Sequence, residues 1–178
     1  MCVSTGRPQA GSFEDLAVPL FDQLYNFAQW LTRDRTEAED LVQETYTKAL
    51  RGFGSFQPGT NFRAWMYRIL RNTFLTSRTG LRAATVPLEP DNEPDPGLAD
   101  LETPESIFLE RSNQELLRSA IEDLPVPFRE VLLLCEVEEM SYQEISETLT
   151  IPIGTVMSRL ARARAALRKS LRGKVARV

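Results

Sequence analysis

The chain has 178 residues, of which 42% are hydrophobic and 26% charged, and its formal net charge at pH 7 is −4. These values are typical of a globular protein with one domain or two small ones. The sequence contains no histidine, which argues against a zinc enzyme and against most general acid–base catalysis. No apolar run approaches the roughly 20 residues that span a bilayer, and the N-terminus has no signal-peptide pattern. We therefore expect a cytoplasmic location without a membrane span.

The first segment, residues 1–11, contains glycine, proline and serine and is predicted to be a disordered leader. Ser12 and Asp15 have the spacing of a capping box and predict the start of a helix. Pro19 follows near the beginning of this helix and predicts a kink or a restart there.

The next predicted helix runs to about Arg51, and Thr36 with Glu39 forms a second candidate capping box at its start. Tyr46 and Leu50 belong to the side that we expect to face inward. The opposite side is polar and consists of Asp40, Gln43, Glu44 and Thr47. From the residues alone, these four form an ordinary solvated helix face.

Residues 52–61 are rich in glycine and also contain a proline, which predicts a loop. This loop carries Phe53 and Phe56 and precedes a helix predicted over residues 62–78. This helix interleaves aromatic side chains with arginines and contains no acid. The pattern suits single-stranded nucleic acid, because bases stack on aromatic rings and phosphates pair with guanidinium groups. A core helix with an exposed basic face explains the same pattern equally well.

Residues 79–106 contain seven acidic residues, one basic residue and five prolines. This composition disfavours a compact helix and predicts an extended linker between two domains. Drawn out, a linker of this length reaches roughly 60–90 Å.

Four helices are predicted in the C-terminal region, over residues 105–124, 128–137, 141–149 and from Thr155 onward. Ser141 and Glu144 have capping-box spacing at the start of the third. Pro152 and Gly154 interrupt the pattern before the fourth. From Thr155 to the C-terminus there are eight basic residues and no acid.

A short capped helix, a tight turn and a basic second helix predict a helix-turn-helix whose second helix enters the major groove of DNA. A solvated amphipathic helix that ends a helical bundle is the alternative. The predicted fold class is all-α, with two small helical domains joined by the acidic linker.

Three segments resemble the extracytoplasmic-function (ECF) sigma factors, a group of bacterial transcription initiation factors in the sigma-70 family. IPIGTVMSRLARARAAL (151–167) resembles the recognition helix of region 4. AEDLVQETYTKAL (38–50) resembles region 2.2, and FQPGTNFRAWMYRILRNTF (56–74) resembles the loop and helix that open and read the −10 promoter element. The resemblance implies region 2 at 12–78, a linker at 79–106 and region 4 at 107–178.

By this resemblance the chain is a sigma factor that binds core RNA polymerase and promoter DNA, with no catalytic residue, cofactor or metal of its own. The implied contacts with the clamp helices of the largest polymerase subunit are Asp40, Gln43, Glu44 and Thr47. The implied −10 contacts are Phe56, Gly59, Thr60, Asn61, Arg63, Trp65, Arg68, Arg71 and Asn72. The implied −35 contacts are Thr155, Ser158, Arg159, Arg162, Arg164 and Lys169. Further implied partners are the flap of the second-largest subunit and an anti-sigma factor.

Two departures from the family pattern fall near the recognition face. Met157 stands where many relatives carry a basic residue, and Ala161 where some carry a larger side chain. The −35 sequence preference of relatives therefore does not transfer to this chain. In the family the linker threads the polymerase cleft, and a passive acidic spacer is an equally good interpretation of its residues.

Two other functions fit parts of the sequence. A repressor or activator would use its N-terminal domain to sense a ligand or dimerise, and would bind duplex DNA tightly without core polymerase. A helical adaptor would direct its basic face at an acidic protein and would produce no promoter-specific transcript. The aromatic loop and the acidic linker favour the sigma-factor interpretation. Because phosphate attraction dominates non-specific affinity, the net charge of −4 predicts weak DNA binding by the isolated chain.

Overall fold

The computed structural model describes residues 11–81 and 111–175, so most of the predicted leader and most of the predicted linker lie outside the described ranges. Within these ranges the regular structure is helical and no strand occurs, which confirms the predicted fold class. The α-helices are α1 (Phe13–Ala17), α2 (Phe21–Thr32), α3 (Arg35–Gly52), α4 (Phe62–Leu81), α5 (Arg111–Glu122), α6 (Val126–Glu136), α7 (Tyr142–Leu149) and α8 (Ile153–Val175). Among the described residues, no helix is both long and apolar enough to cross a membrane.

The start of the fold follows the prediction closely. The Ser12 hydroxyl accepts the backbone N–H of Asp15, and the Asp15 carboxylate accepts the backbone N–H of Ser12. Pro19 lies in a 3₁₀ turn, Val18–Leu20, and the α-helix restarts at Phe21. Both the capping box and the restart at the proline are confirmed.

The start of α3 differs from the prediction. Arg33 has a φ of 62° and ends α2, and Asp34 then lies in an extended conformation as the N-cap of α3. Its carboxylate accepts the backbone N–H of Glu37 at 2.8 Å. The predicted capping box of Thr36 and Glu39 is therefore wrong, because aspartate caps as well as threonine and Asp34 comes first after the left-handed residue.

α4 begins at the predicted residue and ends later than predicted. The Asn61 side-chain oxygen accepts the backbone N–H of Ala64 at 3.0 Å, which satisfies one of the free donors at a helix start. The helix then continues to Leu81, three residues beyond the predicted helix end at Arg78. No proline stops the helix after Arg78, since the next one is Pro87.

Two helices of the C-terminal region start two residues earlier than predicted. α6 starts at Val126, because Pro127 fits the first turn of a helix, where its missing N–H needs no partner. α8 starts at Ile153, so Gly154 lies inside its first turn. The left-handed residue that ends α7 is Thr150, with a φ of 57°.

α7 and α8 otherwise form the predicted helix-turn-helix. Ser141 and Glu144 make the reciprocal hydrogen bonds of a capping box, which confirms that prediction. Val156, Leu160 and Ala163 are buried, as the apolar stripe of α8 predicts.

The N-terminal half (residues 11–81) and the C-terminal half (residues 111–175) pack directly against each other. α4 lies against α7, and α2 lies against α6. The buried apolar residues of both halves form one cluster. The sequence predicts only a linker between two domains, and this direct contact determines what several of the site residues touch.

Candidate polymerase and nucleic-acid interfaces

The structure brings the four predicted polymerase contacts together on one exposed side of α3. Asp40, Gln43, Glu44 and Thr47, hereafter the α3 face, all have exposed side chains. The Thr47 hydroxyl donates to the carbonyl of Gln43 at 2.9 Å, and Glu44 pairs with Lys48 at 2.7 Å. Because these bonds stay within the helix, the polar face is preformed and accessible.

An apolar groove of about 500 Å³ lies beside the α3 face, with Gln43 and Thr47 in its wall. The prediction that Leu50 faces inward is wrong, because this side chain is 55% exposed and lines the groove. Phe21 also lines it and is 48% exposed. Sequence reasoning missed Phe21 because it lies outside the apolar stripe of Leu24, Phe27 and Leu31. Exposed aromatic and aliphatic groups beside polar ones are typical of protein-binding surfaces.

Tyr46 fixes one wall of this groove. Its hydroxyl donates to the carbonyl of Ala17 at 2.7 Å. Burial, with a smaller contribution from the charge of Asp22, raises the pKa of Tyr46 to about 12. The phenol is therefore neutral and able to donate this bond at physiological pH.

Aromatic rings support the loop before α4. The ring centroid of Phe56 lies 5.2 Å from those of Phe62 and Trp65. Gly59 and Thr60 lie at the exposed tip of the loop, and Gly59 has a φ of 93°, a conformation that favours glycine. Phe56 and Trp65 are half-buried in this cluster, so the loop tip is the more accessible part of the predicted −10 site.

Two arginines of α4 form ion pairs with acids of the C-terminal half. Arg71 donates to both carboxylate oxygens of Glu130, at 2.8 and 3.1 Å. Arg63 donates to the carboxylate and the carbonyl of Glu138, at 2.9 and 2.7 Å. The guanidinium groups of Arg63 and Arg71, both predicted −10 contacts, are thus directed at the C-terminal half of the chain.

Two further predicted −10 contacts also meet the C-terminal half. Arg68 donates to the carbonyl of Glu147, and the Asn61 amide donates to the carboxylate of Glu144 at 2.6 Å. Asn72 has an exposed side chain. Asn61, Arg63, Arg68 and Arg71 are hereafter the α4 surface.

The acids that face the α4 surface include two that are almost fully buried. Glu130 is 1% exposed and Glu138 is 5% exposed. The Tyr67 hydroxyl also donates to Glu138, and burial together with this bond raises the pKa of Tyr67 well above its usual value. Because an unpaired buried carboxylate strongly destabilises a fold, the ion pairs with Arg71 and Arg63 stabilise the burial of these two acids.

The predicted −35 contacts in α8 divide into two groups. Arg162 and Lys169 are exposed on the outer side of the helix. Arg164 pairs with Glu136 at 2.6 Å, whereas Arg159 lies on the inner side near buried Glu130. The outer pair is therefore better placed to reach a DNA groove than the two arginines that flank the apolar stripe.

The start of α8 carries the remaining −35 candidates. Thr155 and Ser158 are half-buried, and the Ser158 hydroxyl donates to the carbonyl of Thr155 at 3.1 Å. Met157 is 53% exposed, and Ala161 is exposed. Both residues, which the sequence resemblance marks as departures from the family pattern, thus lie on the accessible surface of α8.

Arg129 is a buried residue of the interface that sequence reasoning missed. It is 3% exposed and donates to the carbonyl of Trp30 at 3.0 Å and to those of Glu122 and Leu124 at 2.9 and 2.8 Å. Burial, followed by the nearby charge of Arg33, lowers the pKa of Arg129 to about 10. The only local indication is a single arginine in an apolar helix, because Trp30 is 99 positions away.

Comparison with known families agrees with this architecture in both halves. Residues 19–83 match the model of Sigma-70 region 2, and residues 114–167 match the model of Sigma-70, region 4.

Relatives from several bacteria match most of the chain. The ECF RNA polymerase sigma factor SigE of Mycolicibacterium smegmatis is 36% identical over 90% of this chain, which spans only 62% of that protein. The RNA polymerase sigma-H factor of Pseudomonas aeruginosa is 36% identical over 93% of this chain and 89% of its own length. The ECF RNA polymerase sigma factor SigW of Bacillus subtilis is 32% identical over 90% of this chain and 89% of its own length.

Solved structures of similar shape include two protein complexes. RpoE of Bartonella quintana, in complex with the anti-sigma factor NepR, superposes with a TM-score of 0.65 at 28% identity, over 89% of this chain and 98% of its own. CnrH in complex with the cytosolic domain of CnrY gives a TM-score of 0.65 at 26% identity, over 90% and 88% of the two chains. Given the two sigma-70 regions in order and relatives that match nearly end to end, this chain belongs to the family of ECF RNA polymerase sigma factors.

Proposed function

We propose that this chain directs promoter-specific initiation by joining core RNA polymerase and recognising a −35 and a −10 element. The family consists of transcription initiation factors, so the bond-forming chemistry belongs to the polymerase. We expect the chain to act in the bacterial cytoplasm, where polymerase and chromosome meet.

The α3 face and its neighbouring groove are the proposed docking site for the clamp helices of the largest polymerase subunit. Four exposed polar side chains beside the exposed Phe21 and Leu50 support this assignment. Polar groups give orientation, and burial of the apolar groove gives affinity.

The loop tip and α4 are the proposed −10 site. Gly59 and Thr60 would contact a flipped base at the tip, with the cluster of Phe56, Phe62 and Trp65 behind it. Base stacking of about 1–3 kcal/mol can offset the few kcal/mol that extrusion of a base requires. The arginines of α4 would then follow the phosphates of the separated strand.

The outer side of α8 is the proposed −35 site. Exposed Arg162 and Lys169 are the principal contacts with base edges and phosphates, and Thr155 and Ser158 lie at the end of the helix that enters the groove. Arg159 and Arg164 are proposed as flanking contacts, since both form ion pairs within the free chain.

Two further partners complete the proposal. The C-terminal half would contact the flap of the second-largest polymerase subunit. An anti-sigma factor is proposed because one structural neighbour, RpoE of Bartonella quintana, was solved in complex with the anti-sigma factor NepR.

The observation that carries the proposal is the presence, in one chain, of the exposed α3 face beside an apolar groove and of a helix-turn-helix with a basic outer side. The test adds the purified chain to core polymerase of the source bacterium on fragmented genomic DNA, and maps transcript 5′ ends. We expect start sites that core polymerase alone does not produce, sharing two blocks of sequence upstream.

The same experiment separates the alternatives. A regulator that acts without polymerase would add no start sites and would retain duplex DNA by itself. A helical adaptor would do neither, and either result would contradict the proposed function.

A further inference from the structure

The first two turns of α8 expose apolar side chains that the core of the protein does not use. Ile153 is 41% exposed and Met157 is 53% exposed. The two residues are four positions apart in the sequence, so they lie on the same side of the helix on neighbouring turns. A single exposed apolar residue is common on a protein surface, but two large ones on neighbouring turns form a continuous apolar area.

Ala161 extends this apolar area by one more turn. Its side chain is exposed, and at about 100° per residue the three positions lie within roughly 80° of one another around the helix. The small side chain allows another molecule to approach the helix closely. Ile153, Met157 and Ala161 are hereafter the apolar strip of α8.

A polar strip runs beside the apolar one. Ser158, Arg162 and Lys169 lie within roughly 40° of one another and about 120° from the centre of the apolar strip. Arg162 and Lys169 are exposed, and the sequence from Thr155 to the C-terminus contains eight basic residues and no acid. The apolar strip therefore adjoins a surface that attracts the phosphates of DNA.

The start of α8 is open to a large partner. The helix packs on α5, α6 and α7 through its buried side, which includes Val156 and Leu160. A Cβ atom added to Gly154 would meet nothing within 4 Å among the described residues, so there is open space beside the strip. In a helix-turn-helix, the N-terminal residues of the second helix are the ones that contact base edges.

An apolar side chain distinguishes bases in the major groove by one group, the C5-methyl of thymine. The other groups that base edges present there are hydrogen-bond donors and acceptors. Covering such a donor or acceptor with Met157 would displace water without replacing its hydrogen bond, which is unfavourable. Covering a thymine methyl group instead buries apolar surface on both molecules, and the flexible, polarisable methionine side chain adapts to such a contact.

We propose that Met157 is a specificity-determining residue that reads the methyl group of a thymine in the −35 element, with Ile153 and Ala161 on either side of the contact. This inference rests on the proposed role of α8 at the −35 element. Arg162 and Lys169 hold the duplex, and the apolar strip selects an A·T pair at the position that Met157 faces. A lysine or arginine at this position would instead favour guanine, whose major-groove edge presents two acceptors.

The first experiment removes the methyl group from the DNA and leaves every hydrogen-bonding group in place. Promoters found by 5′-end mapping are synthesised with each thymine of the −35 element, on either strand, replaced in turn by deoxyuridine. Open-complex formation is measured with core polymerase and a limiting concentration of the unmodified chain. We expect one of these replacements to lower open-complex formation about three- to fourfold, the effect of losing one buried methyl group.

The second experiment asks whether the methyl group acts through Met157. Met157→Ala should form open complexes equally well on the thymine and deoxyuridine promoters, whereas Met157→Leu, which keeps an apolar side chain, should retain a preference for thymine. The matched control is Val137→Ala, since Val137 is an apolar residue of the same half with the same exposure of 53%. This control should keep the full preference. Thermal melting establishes that the variants fold, and if Met157→Ala does not, Met157→Gln replaces it.

Several results would overturn the inference. They are a −35 element without thymine on either strand, no loss with any deoxyuridine, and an equal loss in the unmodified and Met157→Ala chains. Weaker competition of Met157→Ala for core polymerase in the absence of DNA would identify the apolar strip as a protein contact and would overturn it too. Initiation that survives scrambling of the whole −35 element would instead count against the proposed role of α8, so the two failures are distinguishable.

Discussion

The α3 face and the α4 surface lie on consecutive helices, yet one is open and the other is covered. The side chains of Asp40, Gln43, Glu44 and Thr47 are exposed. In the α4 surface, Arg63 and Arg71 instead hold buried acids of the C-terminal half. The α3 face is thus accessible to a partner in the free chain, whereas the arginines of the α4 surface already have acceptors within the chain.

The largest expected effect comes from breaking an ion pair of the α4 surface. Arg71→Ala removes the bidentate partner of Glu130, which is 1% exposed. Removing one member of a buried ion pair typically destabilises a fold by 3–5 kcal/mol, and we expect about 3 kcal/mol because Arg159 remains near the carboxylate. Chemical denaturation of the free chain measures the change.

The matched control for this prediction is Arg164→Ala, which breaks the exposed pair with Glu136. Exposed pairs contribute about 0–1 kcal/mol, so this variant should unfold close to the unmodified chain. Equal destabilisation by Arg71→Ala and Arg164→Ala would mean that the contact between the halves is no stronger than a surface ion pair.

The next largest effect is expected from changing the exposed α3 face. Reversing two charges of the α3 face, with Asp40→Arg and Glu44→Arg together, should weaken binding to core polymerase about 10- to 100-fold, because central interface residues typically contribute about 2 kcal/mol or more. Stability should change little, since both side chains are exposed. Binding is measured by competition with another sigma factor for core polymerase. Glu115→Arg, an exposed acid of α5, is the control and should compete normally.

A smaller effect concerns the recognition helix. Arg162→Ala should weaken −35-dependent transcription by about 1–3 kcal/mol, the range for a side chain that reads a base edge. Arg164→Ala should have a weaker effect, because Arg164 pairs with Glu136 in the free chain. Transcription from promoters with intact and scrambled −35 elements measures both. An Arg162→Ala chain that folds and transcribes normally would remove this residue from the −35 site.

The smallest effect is at the groove beside the α3 face. Tyr46→Phe removes the hydrogen bond to the carbonyl of Ala17 and should destabilise the chain by about 1 kcal/mol. The pKa of Tyr46 is raised to about 12 in the folded chain, so its contribution is full below pH 10 and is lost as the pH rises from 10 to 12. The Tyr46→Phe chain should therefore lose less stability over that range.

Tyr67 has a pKa raised in the same direction, so the decline above pH 10 should be reduced by Tyr46→Phe and not abolished. Denaturation midpoints at pH 9 and pH 11 measure the difference. An identical decline for both chains would show that Tyr46 ionises as easily when folded as when unfolded.

The features that could be predicted from the sequence are those set by residues close together in the chain. The capping boxes at Ser12 and Ser141, the restart at Pro19 and the buried stripe of α8 depend on residues within one or two helical turns of each other. The cap of α3 was misjudged because Asp34 and Thr36 are competing candidates of similar strength two positions apart. A local sequence pattern does not show which of two neighbouring candidates becomes the N-cap.

The contacts of the α4 surface could not be predicted in the same way. Arg71 and Glu130 are 59 positions apart, and Arg63 and Glu138 are 75 positions apart. Helical periodicity identifies a basic face, but only the packing of α4 on α7 decides whether that face meets solvent, DNA or the acids of another helix. The resemblance to sigma factors likewise named candidate DNA-binding residues without indicating that Arg63 and Arg71 would pair with acids of the C-terminal half.

The distance between the two halves tests this account most directly. Donor and acceptor dyes at Thr36→Cys and Gln143→Cys, both exposed positions outside the proposed binding surfaces, report it by energy transfer in a Cys2→Ser, Cys135→Ser chain. We predict high transfer in the free chain, no change when promoter DNA is added alone, and a fall when core polymerase is added. Transfer that is already low in the free chain, or that stays high on polymerase, would contradict the account.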